Sequence, residues 1–318
     1  MSRKAWPVAL AAIGLAANVY AQDPTPATPD DPTPFKLPDH QDPNPLKLAE
    51  APADQSVYAL PTGTSPDQGI NLGGVNIDMT ITYLTDYLYR GVNVGEQLNP
   101  GTGVSNANFQ FNGTLIWNLG PKLPHPFIGI FTNVLSSDSI SNFQEVRPFF
   151  GAEWRIRPFI IAGGNNSYTY PDRSNKDTNE VFLKITLDDS VLLHSDQPVF
   201  SPYVYAAYDY DLYDGWYVEA GIKHDFVFEK LGLVVTPVLN IAYVANNAFF
   251  AGFTGKDTGF QHYDVGATFK YSLNLLLNIP QRYGQWSVNG YLFYSDSISD
   301  KLNADTTIWG GVGIGFAY

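Results

Sequence analysis

The sequence predicts an all-β protein, and more narrowly a transmembrane antiparallel β-barrel of about twelve strands. The 318 residues include 20 Tyr, 20 Phe and 28 Gly but only 15% charged residues, a balance that favours strands and tight turns. After residue 70, apolar and polar residues alternate with a period of two. Many of these segments exceed the five or six residues usual in soluble strands and reach the length of a tilted strand crossing a bilayer.

Residues 1–21 read as a signal peptide that is removed on export. Arg3 and Lys4 precede an apolar stretch at 8–17, and the small residues Val19 and Ala21 fit a cleavage site. The alternative is an N-terminal membrane anchor, although the apolar stretch is about half of the ~20 residues that a spanning helix needs. Because the chain has no Cys, no disulfide holds the exported protein together.

Residues 22–70 form a proline-rich arm, with "DPTPATPDDPTPFKLPDHQDPNP" at its centre. Each proline lacks a backbone donor and keeps the preceding residue out of the helical region. We therefore expect a disordered arm in the periplasm. It serves either as a passive spacer or as a docking segment for the cell wall or a periplasmic protein, with "FKLP" and "LKLA" as contact points.

Residues 71–318 form the predicted barrel. In "VNIDMTITY" the apolar residues at 75, 77, 79, 81 and 83 point one way and the polar residues between them point the other way. In a barrel the apolar face meets lipid and the polar face lines the lumen. The predicted strands are residues 75–90, 104–120, 125–136, 143–156, 157–170, 178–189, 200–211, 214–228, 231–246, 259–274, 284–296 and 305–318.

The links between these segments alternate in length and predict an orientation. Tight links at 120–124, 155–158 and 229–232 alternate with longer polar ones, although 189–199 and 275–283 are long and 211–214 is short against the trend. Short turns of outer-membrane barrels face the periplasm, so both barrel ends of the chain should lie there. The last residues, "WGGVGIGFAY", resemble a carboxyl-terminal insertion signal, which implies recognition by the barrel-assembly machinery. A soluble β-sandwich is the alternative fold.

Charged residues on the polar face are the candidate lumen and selectivity residues. Within single strands, Glu145 with Arg147, Glu153 with Arg155, and Glu219 with Lys223 share that face. They either seal the barrel as ion pairs or form a constriction that mildly favours cations. The full set is Asp78, Asp86, Arg90, Glu145, Arg147, Glu153, Arg155, Glu180, Lys184, Glu219, Lys223, Asp225, Asp264 and Lys270.

Aromatic residues are frequent near the predicted outer strand ends, where they suggest a belt at the lipid headgroups. A sugar-stacking surface in the lumen is the alternative. The residues concerned are Tyr87, Tyr89, Tyr168, Tyr170, Tyr208, Tyr210, Tyr213, Trp216, Tyr294 and Trp309.

Other function classes have less support. The net charge of −13 argues against nucleic-acid binding, which needs a basic surface. The His residues of the exported chain, at 40, 125, 194, 224 and 262, include no pair at helical metal-ligand spacing. We expect no metal, no cofactor and no enzymatic activity, because no nucleophile, base and orienting group can be placed together.

The stretch "TDYLYRGVNVGEQ" resembles a signature near the start of the TorF-type porins, a family of bacterial outer-membrane proteins. The likeness extends to "GIFTNVLSSDS", "EVRPFFGAEW" and "SYTYPDRSNKDTNEVFLKITLDD", and thus to residues 75–190. The resemblance implies an outer-membrane barrel with porin activity. The proline-rich arm and the terminal Tyr depart from the family pattern.

The sequence as a whole predicts a barrel in the outer membrane, in contact with its lipid and lipopolysaccharide, that passes small hydrophilic solutes or ions through a charged lumen. One alternative is a structural or tethering barrel with a sealed lumen and a docking arm. The other is an enzyme whose rim acts on lipid. In the first strand, Tyr83, Tyr87 and Tyr89 are expected to face lipid, while Asp86 and Arg90 line the outer mouth and Arg90 with Gly91 starts an external loop.

Overall fold

The computed structural model describes residues 74–98, 107–120, 122–135, 144–171, 176–195, 197–251 and 257–318. The predicted signal peptide at 1–21 and the whole of the predicted arm at 22–70 lie outside this range. The predictions made for those two segments therefore stay predictions.

In the described part of the chain, twelve antiparallel strands close into a barrel, as the sequence predicts. Three shorter strands, β2 (Leu88–Tyr89), β3 (Val92–Asn93) and β11 (Phe226–Phe228), lie outside the ring of twelve. The barrel strands are β1 (Val75–Leu84), β4 (Asn108–Trp117), β5 (His125–Leu135), β6 (Gln144–Ile156), β7 (Phe159–Tyr168), β8 (Thr178–Leu187), β9 (Tyr203–Asp209), β10 (Gly215–Lys223), β12 (Leu233–Ala245), β13 (Thr258–Ser272), β14 (Gln285–Ser297) and β15 (Thr307–Ala317).

Each barrel strand pairs with its neighbours along the chain, and two further pairings complete the ring. β10 pairs with β12, from Trp216 opposite Ala245 to Lys223 opposite Val238. β1 pairs with β15, from Asp78 opposite Ala317 to Leu84 opposite Gly311. Because every strand then has two hydrogen-bonded neighbours, the barrel has no open edge.

The outward face of the barrel is apolar. Ile81, Val312 and Ile314 are 60%, 60% and 54% exposed, whereas the alternating residues Asn76 and Thr82 are only 1% and 2% exposed. This confirms the predicted parity of the strands. An apolar exterior around a polar interior is the arrangement that lets a closed barrel cross a bilayer.

The barrel has two distinct ends. The turn end carries both barrel termini and the links 118–124, 157–158, 188–202, 224–232 and 273–284, which include the short helices α2 (Ser190–Leu193) and α3 (Leu273–Leu277). The loop end carries the described parts of the remaining links, at 85–98, 107, 169–171, 176–177, 210–214, 246–251, 257 and 298–306. No helix in the described ranges is long and apolar enough to cross a membrane.

The first strand is shorter than predicted. β1 ends at Leu84, whereas the sequence pattern extends it to residue 90. Beyond Thr85 the chain leaves the sheet and turns into the lumen, so the period-two pattern no longer assigns faces to Tyr87 and Tyr89. The candidate functional site is formed where this inward turn enters the lumen.

Candidate functional site

Residues 85–98 fold back into the loop end of the lumen and are called the plug from here on. They contain β2, β3 and the short helix α1 (Val94–Leu98). The two-residue turn Arg90-Gly91 has positive φ angles of 55° and 75°, as a type I′ hairpin turn requires. The Val94 N–H donates to the Tyr87 carbonyl at 3.0 Å and closes the hairpin.

The plug is packed, with little of it in contact with solvent. Tyr87 and Val92 are 0% exposed and Arg90 is 2% exposed. Tyr89 packs edge-on against Tyr168 of β7, with ring centroids 5.8 Å apart. These side chains belong to an apolar cluster that joins the plug to the surrounding wall. At the level of the plug, the lumen is therefore filled by protein.

A buried ion pair joins the tip of the plug to the wall. The Arg90 guanidinium donates to Glu180 of β8 at 2.8 Å, and the two side chains are 2% and 1% exposed. The same guanidinium lies 4.5 Å from the centre of the Tyr217 ring, a cation–π distance. A charge-assisted hydrogen bond in such a setting is stronger than a neutral one.

Glu180 gathers further donors on the same carboxylate oxygen. Asn166 and Tyr168 each donate to Oε1 at 2.8 Å, and the Tyr205 hydroxyl donates at 3.3 Å. Four donors from the plug and from β7 and β9 thus converge on one oxygen. This set stabilises a buried negative charge that the Arg90 cation neutralises at close range.

A second contact holds the base of the plug. The Tyr87 hydroxyl donates to Glu145 of β6, and Arg147 lies 3.4 Å from the same carboxylate. Burial, reinforced by the charge of Glu145, raises the pKa of Tyr87 well above its usual value. The hydroxyl therefore stays protonated at physiological pH and remains a donor.

Strand β13 and the loop at 298–306 also contact the plug. The Gln261 side chain donates to the Arg90 carbonyl at 3.0 Å and to the Asn303 carbonyl at 2.6 Å. The Asn93 N–H donates to Asp305 at 2.6 Å. Burial raises the pKa of Asp305, and the Asn93 hydrogen bond partly opposes that rise. The plug is thus fixed to the rim as well as to the barrel wall.

The remaining loop-end candidates lie beside the plug. Glu219 is 0% exposed and accepts from the Tyr203 and Tyr217 hydroxyls at 2.6 and 2.9 Å. Asp264 lies 3.4 Å from the ring of His262. Asp86 accepts from the Asn93 side chain at 3.2 Å.

The other seven candidates occupy the turn-end half of the lumen, where cations outnumber carboxylates. Arg155 donates to Glu153 at 2.8 Å, and the Lys184 ammonium lies 4.6 Å from the centre of the Tyr203 ring. Asp225 accepts from Thr236 at 2.5 Å. This half holds Asp78, Glu153, Arg155, Lys184, Lys223, Asp225 and Lys270. The balance of acidic and basic candidates therefore differs between the two ends of the lumen. A total count of acids and bases does not show this difference.

Four expectations from the sequence were wrong. Tyr87 and Tyr89 face the lumen, because the strand stops before them, and Arg90 with Gly91 forms the tip of an inward hairpin instead of an external loop. Tyr168 and Trp309 also point inward, at 1% and 3% exposed, and so do not belong to a headgroup belt. Glu219 bonds to two tyrosines, where a pair with Lys223 was expected, because residues four apart on one strand are separated by roughly 13 Å.

The sequence reading also missed several residues of the site. Tyr205, Tyr217, Gln261 and Asp305 all contact the plug or its ion pair. One signal for the hairpin was present, since "LYRGVN" places a two-residue turn ending in Gly between short apolar flanks. The partners on β9, β10 and β13 carry no such signal, because they meet the plug only once the barrel closes.

The site consists of polar contacts gathered around a glycine turn. It combines one ion pair, several tyrosine hydroxyl donors and a glycine turn, and within the described ranges no three His, Asp or Glu side chains lie close enough together to hold a metal ion.

Comparisons with known proteins find no family and only a distant likeness to solved structures. No protein-family model matches the sequence, and no curated protein matches it significantly, so the resemblance to TorF-type porins stays a prediction. Among solved structures, the chain is similar to LpxR from Salmonella typhimurium, with 12% identity, coverage of 75% of this chain and 99% of that one, and a TM-score of 0.43. It is also similar to the COG4313 outer membrane channel from Pseudomonas putida F1, with 9% identity, coverage of 80% and 99%, and a TM-score of 0.40. At these values, nothing about activity follows from the likeness.

Proposed function

We propose that this protein is an outer-membrane channel closed by its own plug. When the plug leaves the loop end, small hydrophilic solutes or ions diffuse passively through the charged lumen without a cofactor. The turn end faces the periplasm, as short turns do in such barrels. The lipid-facing strands contact outer-membrane lipid and lipopolysaccharide, and β15 presents the final strand to the barrel-assembly machinery.

The kind of contact that holds the plug supports the proposal. A lumen sealed for stability alone is filled best by apolar side chains, because a buried ion pair is often no more stable than a well-packed apolar replacement. Here the tip of the hairpin is held by the Arg90–Glu180 pair at 2.8 Å and the base by the Tyr87–Glu145 hydrogen bond. Polar contacts of this kind can be exchanged for water when the hairpin withdraws.

The wall behind the plug also supports a channel. Inward-facing side chains between the plug and the turn end are largely polar or charged, including Asp78, Lys184 and Lys270. Apolar residues at these positions would make a continuous dry core. A lumen with polar walls becomes a hydrated path once the obstruction at its loop end is removed.

Single-channel recording tests the proposal with a variant in which residues 86–98 are replaced by a Gly-Ser segment of equal length. We expect stable conductance steps from this variant and rare, brief ones from the natural chain. The matched control replaces residues 137–142 in the same way and should behave as the natural chain does. A variant that inserts fully and never conducts would refute the channel.

One observation favours a second function, that of a structural or tethering barrel with a permanently sealed lumen. The plug joins an apolar cluster that includes Tyr87, Val92, Phe131 and Tyr217, and such packing resists withdrawal. This alternative predicts that the plug-replaced variant loses stability without gaining conductance.

A further inference from the structure

The wall that receives the tip of the plug has the composition of a binding site for an organic cation. Glu180, Tyr205 and Tyr217 lie on the neighbouring strands β8, β9 and β10 and are called the cation site from here on. The three residues are 1%, 1% and 0% exposed. Aromatic rings attract a cation over their faces, and a carboxylate adds a charge-assisted hydrogen bond. Together these residues can hold a small organic cation.

The Arg90 guanidinium occupies the cation site in the closed state. Its Nη2 atom donates to Glu180 Oε1 at 2.8 Å and to the Tyr205 hydroxyl at 3.4 Å. Its Cζ atom lies 4.5 Å from the centre of the Tyr217 ring and 5.9 Å from that of the Tyr205 ring. Both distances fall within the ~6 Å over which a cation is attracted to a ring. The plug thus supplies a tethered guanidinium, which stands where a free solute of the same chemistry would bind.

The cation site is held in place by contacts within the barrel wall. The Tyr217 hydroxyl donates to Glu219 at 2.9 Å, and the Tyr205 ring stacks on Phe182 with the ring centroids 6.1 Å apart. Two side chains of β7 donate to Glu180 at 2.8 Å. Because none of these contacts comes from the plug, its withdrawal removes the cation and leaves the carboxylate and the two rings supported. The site is therefore preorganised for another cation.

Withdrawal of the plug also changes the charge of the loop-end lumen. Of the loop-end candidates that lie on barrel strands, Glu145, Glu180, Glu219 and Asp264 are carboxylates and Arg147 is a cation. The guanidinium at the tip of the plug reduces this negative excess only while the plug is closed. Negative charge in a narrow lumen concentrates cations and repels anions. The opened loop end therefore favours cationic solutes.

We infer that the cation site binds small solutes that carry a guanidinium group, and that these solutes are the class that the channel admits. Arg90 competes with them for the same carboxylate and rings. A guanidinium fits better than an ammonium, because its planar group stacks on an aromatic face while its N–H groups donate to a carboxylate. The inference rests on the proposed opening of the plug, since a solute reaches the site only after Arg90 has left it.

Competition with Arg90 predicts that such a solute opens the channel. A ligand that binds only the open state multiplies the ratio of open to closed channels by one plus its concentration divided by its Kd. At about ten times its Kd, the solute should raise that ratio roughly tenfold. A group on a short tether has an effective concentration in the millimolar range. We therefore expect the response at millimolar concentrations of free solute.

Single-channel recording of the natural full-length chain, with methylguanidinium chloride added on the loop-end side, tests the inference. The ratio of open to closed channels should rise in a saturable manner. The matched probes are urea, which has the planar shape without the charge, and methylammonium chloride, which has the charge without the planar group. An equal response to methylammonium would overturn the guanidinium assignment. No response to methylguanidinium, in a preparation whose plug-replaced variant conducts, would overturn the inference as a whole.

Thermal unfolding of Arg90→Ala separates binding from gating. This variant lacks the tethered guanidinium, so methylguanidinium should raise its unfolding temperature in a saturable manner. Adding Glu180→Gln should abolish the rise, whereas adding Glu229→Gln, at an exposed turn-end carboxylate, should preserve it. Folding of each variant is checked by the shift in electrophoretic mobility between boiled and unboiled samples.

Failure of the channel and failure of the inference give different results. If the channel proposal fails, the natural chain and the plug-replaced variant stay silent in every solution, while the Glu180-dependent rise in unfolding temperature still supports the cation site. If the inference fails, the plug-replaced variant conducts, but methylguanidinium leaves the unfolding temperature of Arg90→Ala unchanged.

Discussion

Arg90→Ala is expected to open the channel. The substitution leaves the Glu180 carboxylate buried at 1% exposure without its cation and removes the guanidinium 4.5 Å from the Tyr217 ring. Breaking a buried ion pair by removing one partner costs about 3–5 kcal/mol, and each 1.4 kcal/mol is tenfold in an equilibrium. The equilibrium constant that favours the closed over the open state should therefore fall by about a hundredfold or more. We expect to see this as frequent conductance steps in planar bilayers.

The matched control is a second Arg-to-Ala change in an exposed pair. Arg157 lies 3.9 Å from Asp188 with its side chain 86% exposed, and exposed pairs contribute about 0–1 kcal/mol. Arg157→Ala should behave as the natural chain does. The double variant Arg90→Met with Glu180→Gln should close more often than Arg90→Ala, because no buried charge is left unpaired. An Arg90→Ala protein that stays as closed as the Arg157→Ala protein would show that the ion pair does not hold the plug.

Gly91→Ala is expected to displace the plug by steric conflict. A Cβ at this position would meet the His262 ring at 2.5 Å, and His262 is 0% exposed and so has little room to move. The positive φ of 75° adds about 1–2 kcal/mol for any residue with a Cβ, and overpacking adds about 1–3 kcal/mol. We expect a marked gain in open time together with a lower unfolding temperature.

Gly120→Ala separates the two causes. Gly120 also has a positive φ, 94°, but a Cβ there would meet nothing within 4 Å. It lies in a link at the turn end of the barrel, whereas the plug lies at the loop end. This variant should lower the unfolding temperature slightly and leave conductance unchanged. Equal gating effects from the two glycine changes would argue against the packing of the plug tip on His262.

The barrel could be predicted from the local sequence pattern, because the alternation within each strand shows which residues face lipid and which face the lumen. Val312 and Ile314 point to lipid and Thr82 to the lumen, and the period of two reveals this without knowledge of the neighbouring strands. Chain closure follows from the even count and the absence of a helical pattern. The pairs Glu145–Arg147 and Glu153–Arg155 could also be predicted, because residues two positions apart on one strand share a face.

The plug could not be predicted in the same way, because its position depends on contacts far apart in sequence. The alternation of Tyr83, Tyr87 and Tyr89 favours a longer strand. In the structure, the buried hydrogen bonds that Glu145 and Glu180 accept stabilise an inward turn instead. Glu145 and Glu180 lie 58 and 90 residues from their plug partners. Similarly, Tyr205 and Tyr217 read as ordinary inward residues until the Arg90 cation is placed over them.

State-dependent chemical trapping tests the central claim, that the hairpin leaves the lumen when the channel opens, most directly. The chain has no Cys, so Val92→Cys puts a single thiol on a side chain that is 0% exposed. A bulky, membrane-impermeant maleimide is added during single-channel recording. We predict modification only during open episodes, at a rate proportional to open time, followed by permanent conductance because the modified hairpin cannot repack. Modification that proceeds in silent channels, or that leaves gating unchanged, would contradict the account.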